Sequence, residues 1–247
     1  MKLSVIMPVY NRERYVVPAL RSLVRQRDAA DLDIIVIDDG STDGSAEAVR
    51  SIMDENPCIR LYRQPNMGVA KTRNAGLRQL PPETQFVSFL DSDDISPAGR
   101  FARDLAFFAI DPALELTYSL MTRVDVMDDD ALKPAPGGSS GTVRGVSLSA
   151  AIFRRALVDR TGLFDEDLAQ GEDTDYLLRV FETAPRHALL DTVAVYYRRH
   201  AGNMTKQTDV VMRAYLQVIQ KSMRRRKADP SRRPVEGLFE IRNDVNG

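Results

Sequence analysis

The sequence predicts an α/β fold with a mostly parallel sheet flanked by helices. Over roughly the first 110 residues, short apolar runs rich in β-branched residues alternate with segments of helical spacing. The runs are almost continuously apolar, which is typical of parallel strands that are covered on both faces. A cluster of polar residues follows each of the first four predicted strands. This alternation favours one sheet in which the clusters share an edge.

The first half of the chain alternates between strand and helix. Residues 15–24 repeat their apolar side chains at helical spacing, and Pro18 suits the first turn of that helix. Ser41-Thr42-Asp43 supplies N-cap candidates for a second helix, and Pro81-Pro82 ends a third. The predicted strands are 3–7, 33–37, 59–62 and 85–90, and the predicted helices are 15–24, 41–55 and 68–80.

The second half of the chain is less regular. Ser96-Pro97 predicts the start of a helix that runs to about residue 110. A stretch rich in Asp, Pro, Gly and Ser over 128–141 predicts a loop. The remaining predictions are extended chain over 114–126, helices over 147–157, 173–183 and 210–226, and a strand over 189–197.

Composition limits the class of protein. The chain has 247 residues, 43% of them hydrophobic, which suffices for one large core. Its net charge of −1 gives no global field that would attract nucleic acid, so we expect no nucleic-acid partner. Cys58 is the single cysteine, which excludes an internal disulfide. The apolar run 1–8 is too short for a signal segment, and no run approaches the roughly 20 residues that cross a bilayer, so we expect a cytoplasmic protein.

Four polar clusters are candidates for a ligand site. They are Pro8-Val9-Tyr10-Asn11, Asp38-Asp39-Gly40-Ser41, Pro65-Asn66-Met67-Gly68 and Asp91-Ser92-Asp93-Asp94. If the strands are parallel, one edge of the sheet holds all four clusters, together with the Lys71 and Arg73 cations. Such an edge suits a nucleotide, because it offers an aromatic ring for the base, acceptors for N–H groups or ribose hydroxyls, and cations for a diphosphate.

The fourth cluster is the most informative, because it follows the apolar run 86–90. Carboxylates at the end of a buried strand are hydrated, cap a helix or hold a cation. Asp91 and Asp93 are spaced to hold Mg²⁺ or Mn²⁺ while leaving coordination sites for phosphate oxygens. Each cluster alone could be a turn or a helix cap. Four independent turns of this kind at corresponding strand ends are a weaker explanation than one shared site.

Six ordered stretches resemble the family 2 glycosyltransferases, which have the GT-A fold. The match covers about residues 3–205. The resemblance implies a Rossmann-like sheet, with a nucleotide-binding half over about 1–110 and an irregular acceptor-binding half over about 111–205. A C-terminal helix and basic tail would occupy 206–247. The stretches that carry the resemblance are SVIMPVYN (4–11), IVIDDGSTD (35–43), NMG with RNAG (66–68 and 73–76), FLDSDD (89–94), GEDTDYLLR (171–179) and YRRHAGN (197–203).

The resemblance implies roles for individual residues on the donor side. Asp39 would accept hydrogen bonds from the base or ribose, with Asp38 as a weaker candidate. Asp91 and Ser92 would contact the ribose and the sugar phosphate. The other implied donor-binding residues are Pro8, Tyr10 and Asn11 in the nucleoside pocket, and Gly68, Lys71 and Arg73 near the base and phosphates.

The resemblance also implies the reactive groups. Asp93 and His200 would hold a divalent cation, Mn²⁺ or Mg²⁺, which offsets the charge that grows on a departing diphosphate. Asp173 matches the position of the catalytic base, which takes the proton of the acceptor hydroxyl. Structural explanations exist as well: Asp173 could favour a helix N-terminus, and His200 could be a packed or surface residue.

The implied function is inverting, metal-dependent transfer of a sugar from a nucleoside diphosphate sugar, with UDP as the expected nucleotide, in polysaccharide or glycoconjugate synthesis. The acceptor would be a carbohydrate, a lipid-linked molecule or a protein. The chain contains no Trp and no Gln-x-x-Arg-Trp segment, so we expect a single transfer rather than a processive enzyme. The basic run 221–227 is either a solvated helix face or a peripheral contact with an anionic membrane.

Other classes fit the sequence less well or stay open. A nicotinamide-dependent dehydrogenase needs Gly-x-Gly-x-x-Gly after the first strand, and residues 8–14 contain no glycine. A P-loop NTPase needs a Gly-x-x-x-x-Gly-Lys segment, which the sequence lacks. A nucleotidyltransferase acting on sugar phosphates shares the sheet, the nucleotide and the metal, and so stays open. A non-catalytic nucleotide-sugar binding protein is the alternative outside the enzymes.

Overall fold

A mostly parallel β-sheet forms the centre of the fold in the computed structural model, which describes residues 1–203 and 208–235. The strands are β1 (Lys2–Val9), β2 (Asp31–Asp38), β3 (Ile59–Arg63), β4 (Phe86–Phe89), β5 (Leu116–Val124), β6 (Met127–Asp128), β7 (Lys133–Pro134), β8 (Ser140–Val143), β9 (Ala151–Arg154) and β10 (His187–Arg198). The helices are α1 (Val16–Val24), α2 (Ser45–Met53), α3 (Val69–Arg78), α4 (Arg100–Ile110), α5 (Arg155–Thr161), α6 (Glu172–Glu182) and α7 (Thr208–Ala228). The predicted α/β class is confirmed.

The order of the strands brings both halves of the chain into one sheet. Among the described residues, eight strands pair in the order β10-β5-β9-β4-β1-β2-β3, with β8 paired to the second half of β5. β1 to β4 run parallel, and β5 and β10 are parallel to each other. Because β9 is antiparallel to both β4 and β5, the carboxyl ends of β1–β5 and β10 lie at the same edge of the sheet.

The central strands are covered on both faces. Consecutive strand residues point to opposite faces, and Val5, Ile6 and Met7 of β1 are all fully buried. α3 packs against β1 and β2 on one face. Gly76 of α3 permits this close approach, since a Cβ atom at that position would lie 2.4 Å from Cγ2 of Ile6. The buried strands explain why their sequence is continuously apolar.

The helix predicted over 147–157 is wrong. A turn of 3₁₀ helix at Leu148–Ala150 is followed by β9 and then by α5. Ile152 and Phe153 of β9 are fully buried. Periodicity alone does not distinguish a short buried strand from a buried helix. The pairing of this segment with β4 and β5, both far away in sequence, makes it a strand.

α4 begins later than predicted, at Arg100. The preceding Gly99 has a φ of 72°, a left-handed conformation that favours glycine. Ser96, the predicted cap, instead donates its backbone N–H to Ser22 Oγ at 2.9 Å. This hydrogen bond joins the chain after β4 to α1. Ser96 therefore contributes to tertiary packing and does not cap α4.

The remaining elements differ from prediction by a few residues. α2 starts at Ser45, whose N–H is accepted by Oδ1 of Asp43, one of the predicted caps, at 3.0 Å. The predicted loop 128–141 contains β7 and parts of β6 and β8, which are too short to carry a pattern. The predicted terminal helix is α7, whereas residues 206–207 and 236–247 of the predicted C-terminal segment lie outside the described residues.

Membrane-spanning helices are absent from the part of the chain that the structure describes, since each helix there is too short or too polar to cross a bilayer.

The contact between α3 and β1 gives a first prediction. Gly76→Ala places a methyl group against the buried Ile6 side chain, which has no free end to move away. Overpacking costs about 1–3 kcal/mol, and a Cβ only 2.4 Å from a buried methyl group belongs in the upper part of that range, about 2–3 kcal/mol, whereas the gain in helix propensity returns about 1 kcal/mol. We therefore expect the free energy of unfolding in urea to fall by about 1–2 kcal/mol.

Gly141→Ala is the matched control for that experiment. A Cβ at Gly141 meets nothing within 4 Å, so its effect on stability should stay within about 0.5 kcal/mol. An unchanged urea midpoint for Gly76→Ala would contradict the packing described for α3.

Candidate active site

The polar loops after β1 and β2 are joined directly by hydrogen bonds. The Asn11 N–H donates to Ser41 Oγ at 3.0 Å, and the Thr42 N–H donates to Asn11 Oδ1 at 2.9 Å. The Arg12 N–H donates to Ser45 Oγ at 2.7 Å. Asn11 has a φ of 52°, a left-handed conformation that asparagine tolerates better than most residues. The prediction that these clusters share one edge of the sheet is therefore confirmed.

Asp39 connects the second cluster to the third. Its buried carboxylate accepts the Met67 N–H at Oδ1 and the Gly68 N–H at Oδ2, each at 2.9 Å. Gln64 Nε2 donates to Oδ1 at 2.7 Å. Oδ2 therefore has one donor and keeps capacity for a second. Asp39 shapes the loop in front of α3, and a ribose hydroxyl or a base N–H could add to Oδ2.

Asp38 stabilises the turn that follows β2. Its side chain is fully buried, Oδ1 accepts the Ser41 N–H at 3.1 Å, and Oδ2 forms an ion pair with Arg63 at 3.0 Å. These contacts hold the turn after β2. Asp38 is therefore less available to a ligand than Asp39.

Four of the predicted donor-binding residues lie at or beside the same edge of the sheet. Tyr10 is 45% exposed at the end of β1, and Pro8 is half-buried within that strand. Gly68 precedes α3 with a φ of 87°, and Lys71 is half-buried in its first turn. The structure thus leaves the Tyr10 ring accessible to a planar group.

Arg73 is buried between two carboxylates. Nη2 donates to Asp91 Oδ1 at 2.8 Å, Nη1 pairs with Glu172, and the guanidinium lies 5.8 Å from the centre of the Phe164 ring. Burial alone lowers the pKa of Arg73, but Asp91 and Glu172 raise it by more, so the pKa stands above its usual range. Arg73 therefore stays charged and ties the loop after β4 to the start of α6.

Asp93 lies beside two other polar groups of the site. Its Oδ2 accepts from Arg12 Nε at 2.9 Å and is 2.9 Å from His200 Nε2. Burial raises the pKa of Asp93, yet His200 and Arg12 lower it further, so the net shift is downward. The carboxylate is therefore ionised. Ser92, its neighbour, is buried, whereas the Asp91 side chain is 39% exposed.

His200 is held in a fixed orientation. Its ring stacks on Tyr15 with centroids 4.8 Å apart, and Nδ1 is 3.1 Å from the Gly202 N–H that it accepts. A neutral ring then carries its proton on Nε2 and donates it to Asp93. A metal on Nε2 would replace that proton.

The pair Asp93 and His200 fits a cation that is shared with a ligand. Among the described residues, no three Asp, Glu, His or Cys side chains are grouped for a metal. Mg²⁺ and related ions are commonly held by one or two carboxylates while phosphate oxygens and water complete the coordination. The two side chains therefore fit a cation that arrives with a diphosphate, and not a closed protein site.

Glu172 and Asp173 begin α6, after Gly171 in a left-handed conformation with φ of 78°. Glu172 is buried against Arg73, whereas Asp173 is partly buried and accepts the Thr174 N–H at 2.6 Å. Burial raises the pKa of Asp173, Arg73 opposes the rise, and Asp91 adds to it, so the net shift is upward. Burial likewise raises the pKa of Glu172. A carboxylate of raised pKa accepts a proton more readily, which suits a general base.

Three residues of this site were missed in the sequence. Arg12 follows the first cluster directly, and Glu172 precedes the predicted base. Arg198 donates from Nε to the Asp93 carbonyl oxygen and from its N–H to Asp94 Oδ1, both at 3.0 Å. Arg12 and Arg198 lie within or beside the stretches singled out above, but their carboxylate partners are remote in sequence. Only the tertiary structure reveals which pairs form.

The family model described as Glycosyl transferase family 2 matches residues 4–130, about half of the chain. The chain is 27% identical over 226 residues to the uncharacterized glycosyltransferase EpsJ of Bacillus subtilis, covering 82% of this chain and 62% of that protein. It is 31% identical over 205 residues to poly(ribitol-phosphate) beta-N-acetylglucosaminyltransferase TarS of Staphylococcus aureus, covering 80% of this chain and 35% of that protein. The chain thus spans about one third to three fifths of the length of these relatives.

Solved structures show the same fold. The crystal structure of S. aureus TarS 1-349 in complex with UDP-GlcNAc matches with a TM-score of 0.69 and 22% identity, over 93% of this chain and 73% of that chain. Mannosyltransferase PcManGT from Pyrobaculum calidifontis, in complex with GDP-Man and Mn²⁺, matches with a TM-score of 0.65 and 22% identity, over 90% of this chain and 64% of that chain. The α/β architecture described above is therefore the GT-A fold.

The buried position of Arg73 gives the second prediction. Arg73→Met leaves Glu172 and Asp91 without their cation, and breaking a buried ion pair from one side costs about 3–5 kcal/mol. We expect a loss of that size in urea unfolding at neutral pH. The loss should shrink in mildly acidic buffer, because the Glu172 carboxyl, whose pKa is raised by burial, can then be protonated.

Arg50→Met is the matched control. Arg50 is 53% exposed and pairs with Glu47, itself 68% exposed, so its loss should cost no more than about 1 kcal/mol. Equal losses for the two variants would show that the Arg73 pairs do not stabilise the fold in the way described.

Proposed function

Because the chain belongs to glycosyl transferase family 2, we propose that it transfers a sugar from a UDP-sugar to an acceptor hydroxyl. The observation that carries this proposal is the Arg73 contact, which joins Asp91 on the donor side to Glu172 beside the candidate base. Donor-binding and proton-accepting groups thereby belong to one connected site. The acceptor would be a carbohydrate, a lipid-linked molecule or a protein, and the protein would act in the cytoplasm.

The choice of a UDP-sugar is supported by a relative. TarS is named as a beta-N-acetylglucosaminyltransferase, and its structure holds UDP-GlcNAc. PcManGT was solved with GDP-Man and Mn²⁺, so GDP-sugars are the comparison donors in the assay. The proposal for UDP rests on the likeness to TarS.

The residues on the donor side bind and orient the nucleotide. The exposed Tyr10 ring lies beside the base, and Asp39 Oδ2 accepts from the ribose or base. Asp91 and Ser92 face the ribose and sugar phosphate. When a divalent cation is bound, Asp93 and His200 hold it, and it offsets the charge on the leaving diphosphate. Arg12, next to Asp93, adds positive charge at the same place.

Asp173 acts on the acceptor. A hydroxyl group is a weak nucleophile until a carboxylate accepts its proton in the transition state. We assign that step to Asp173, while Arg73 holds the neighbouring Glu172 and so fixes the start of α6. Attack from the side opposite to the diphosphate gives inversion at the anomeric carbon. The chain would make one transfer at a time.

The donor and acceptor parts are proposed as 1–110 and 111–205, with 206–247 as a C-terminal helix and tail. Both parts contribute strands to the same sheet, and β9 of the second part inserts between β4 and β5. We propose them as functional halves of one sheet and not as separate folding units.

A nucleic-acid partner is not part of the proposal, in keeping with the net charge of −1.

The third prediction concerns the base. Asp173→Asn should reduce sugar transfer by about 10²–10⁴-fold, because asparagine cannot accept the proton, while UDP binding stays unchanged. The activity of the wild type requires the ionised carboxylate, so it falls as pH falls through the pKa of Asp173. Burial raises that pKa, so the acidic limb of the rate should lie above the usual aspartate value of about 3.9.

The control for this variant is Asp167→Asn. Asp167 is an exposed residue before α6 and has no place in the site, so its variant should transfer sugar as the wild type does. Normal turnover by Asp173→Asn would place the base elsewhere. Release of pyrophosphate from a nucleoside triphosphate and a sugar phosphate would instead identify a nucleotidyltransferase, and UDP-sugar binding without turnover would identify a binding protein.

The fourth prediction concerns the cation. In the wild type, Mn²⁺ together with UDP should raise the melting temperature more than UDP with EDTA, because Asp93 would hold a cation that also neutralises charge on the diphosphate. Asp93→Ala should lose this Mn²⁺-dependent increase. Asp31→Ala is the matched control, since Asp31 is an exposed carboxylate at the opposite edge of the sheet. An Mn²⁺ effect that survives in Asp93→Ala would remove Asp93 from the metal site.

A further inference from the structure

One face of α7 is committed to contact with α6. Arg225 donates to Asp175 at 2.6 Å and to Glu182 at 3.0 Å, and both carboxylates are fully buried. Val218 is fully buried against Leu168 and a leucine of α6. These contacts fix the rotation of α7 about its own axis. They therefore determine which of its side chains point away from the protein.

The outward face of α7 carries an apolar stripe formed by Met212, Leu216 and Met223, with Tyr215 beside it, whereas Ile219 is half-buried and packs against the Val218 cluster. The spacings of four and seven residues place Met212, Leu216 and Met223 on one side of the helix. Met212, Leu216 and Met223 are 57%, 56% and 58% exposed, and Tyr215 is 49% exposed. Large exposed apolar side chains grouped on one face of a helix mark an interaction site.

Basic residues border the apolar stripe. The sequence of α7 contains six Lys or Arg residues and one acidic residue, Asp209. Arg225 and Lys221 are engaged by carboxylates of the protein. Arg213, Arg224 and Lys227 are exposed along the border of the stripe. The helix is thus positively charged in a chain whose net charge is −1, so its surface is complementary to an anionic one.

We propose that α7 lies flat on an anionic lipid bilayer, with the apolar stripe inserted among the headgroups and the bordering cations next to lipid phosphates. Amphipathic helices bind in this way by combining buried apolar area with attraction to anionic lipids. A second copy of the chain fits the stripe less well, because two such helices face to face would bring their cationic borders together. The charge pattern thus favours lipid.

The position of α7 links this surface to the candidate active site. A Cβ atom at Gly171 would lie 3.4 Å from Val218 Cγ2 and 3.8 Å from Ala214 Cβ, so α7 packs beside the residue that precedes Glu172 and Asp173. A bilayer bound by α7 would therefore hold the start of α6 near the lipid surface. If Asp173 is the catalytic base, as proposed above, this position near the bilayer favours an acceptor carried on a lipid. The proposal that α7 binds lipid does not depend on the role of Asp173.

The test is sedimentation of the full chain with vesicles of phosphatidylcholine alone, or of phosphatidylcholine containing phosphatidylglycerol. The wild type should sediment with the anionic vesicles only, and less so at high salt. Leu216→Glu should weaken this partition at least about tenfold, because it removes an apolar side chain that would enter the bilayer and also adds a negative charge.

Gln217→Glu is the matched control. It adds the same charge at the next residue, which is exposed but lies outside the apolar stripe, so the difference between the two variants measures insertion alone. Should Leu216→Glu not fold, as judged by its melting curve, Met223→Glu and Gln220→Glu form the second matched pair. Donor hydrolysis in solution should be unchanged in Leu216→Glu, which separates this inference from the proposed function.

Three results would overturn the inference. The first is a wild type that does not sediment with anionic vesicles. The second is an equal partition of Leu216→Glu and Gln217→Glu, which would leave charge alone as the cause. The third is a dimer, detected by light scattering, that Leu216→Glu dissociates, since the stripe would then be a contact between two copies of the chain.

Discussion

The buried charge of Arg73 is the constraint on which the candidate active site depends. A guanidinium that is 4% exposed is stable only when carboxylates surround it, and here they come from two places far apart in the chain, the loop after β4 and the start of α6. The same contact that neutralises the cation therefore fixes the distance between those two segments. Asn74, the next residue, adds a contact between α3 and the chain ahead of α6 by donating to the Phe164 carbonyl oxygen at 3.0 Å.

The sheet brings the late segments of the chain to the same edge. β9 inserts antiparallel between β4 and β5, so that β10 runs in the same direction as β1 and ends close to the loop after β4. A backbone bridge between Ile95 and Tyr196 joins these ends. His200 and Arg198 then follow within a few residues and contact Asp93. The antiparallel strand is thus what allows residues near 200 to complete a site begun near residue 10.

Patterns of apolar and polar residues along the chain predicted those strands, helices and turns whose structure depends mainly on residues nearby in sequence. These parts are the buried strands β1, β2 and β4, the helices between them and the polar turns at the ends of the strands. β9 was not predicted, because its identity as a strand depends on two partners remote in sequence. The roles of Arg12 and Glu172 were hidden for the same reason, since an ion pair carries no periodicity. The apolar stripe of α7 could not be separated from a packed face until the contacts with α6 showed which side is covered.

The placement of cations divides the carboxylates of the site into two chemical types. Asp93 is partly buried, yet Arg12 and His200 share one of its oxygens, so its pKa is lowered and it stays an anion suited to a metal ion. Asp173 also lies near a cation, but Arg73 is already paired with Asp91 and Glu172, and the effect of burial prevails, so its pKa is raised. Groups whose environments move their pKa values in opposite directions are suited to different roles in one reaction. The way Arg12, His200 and Arg73 are shared among the carboxyls of the loop after β4 and the start of α6, more than the presence of any single aspartate, suits this edge of the sheet to the proposed glycosyl transfer.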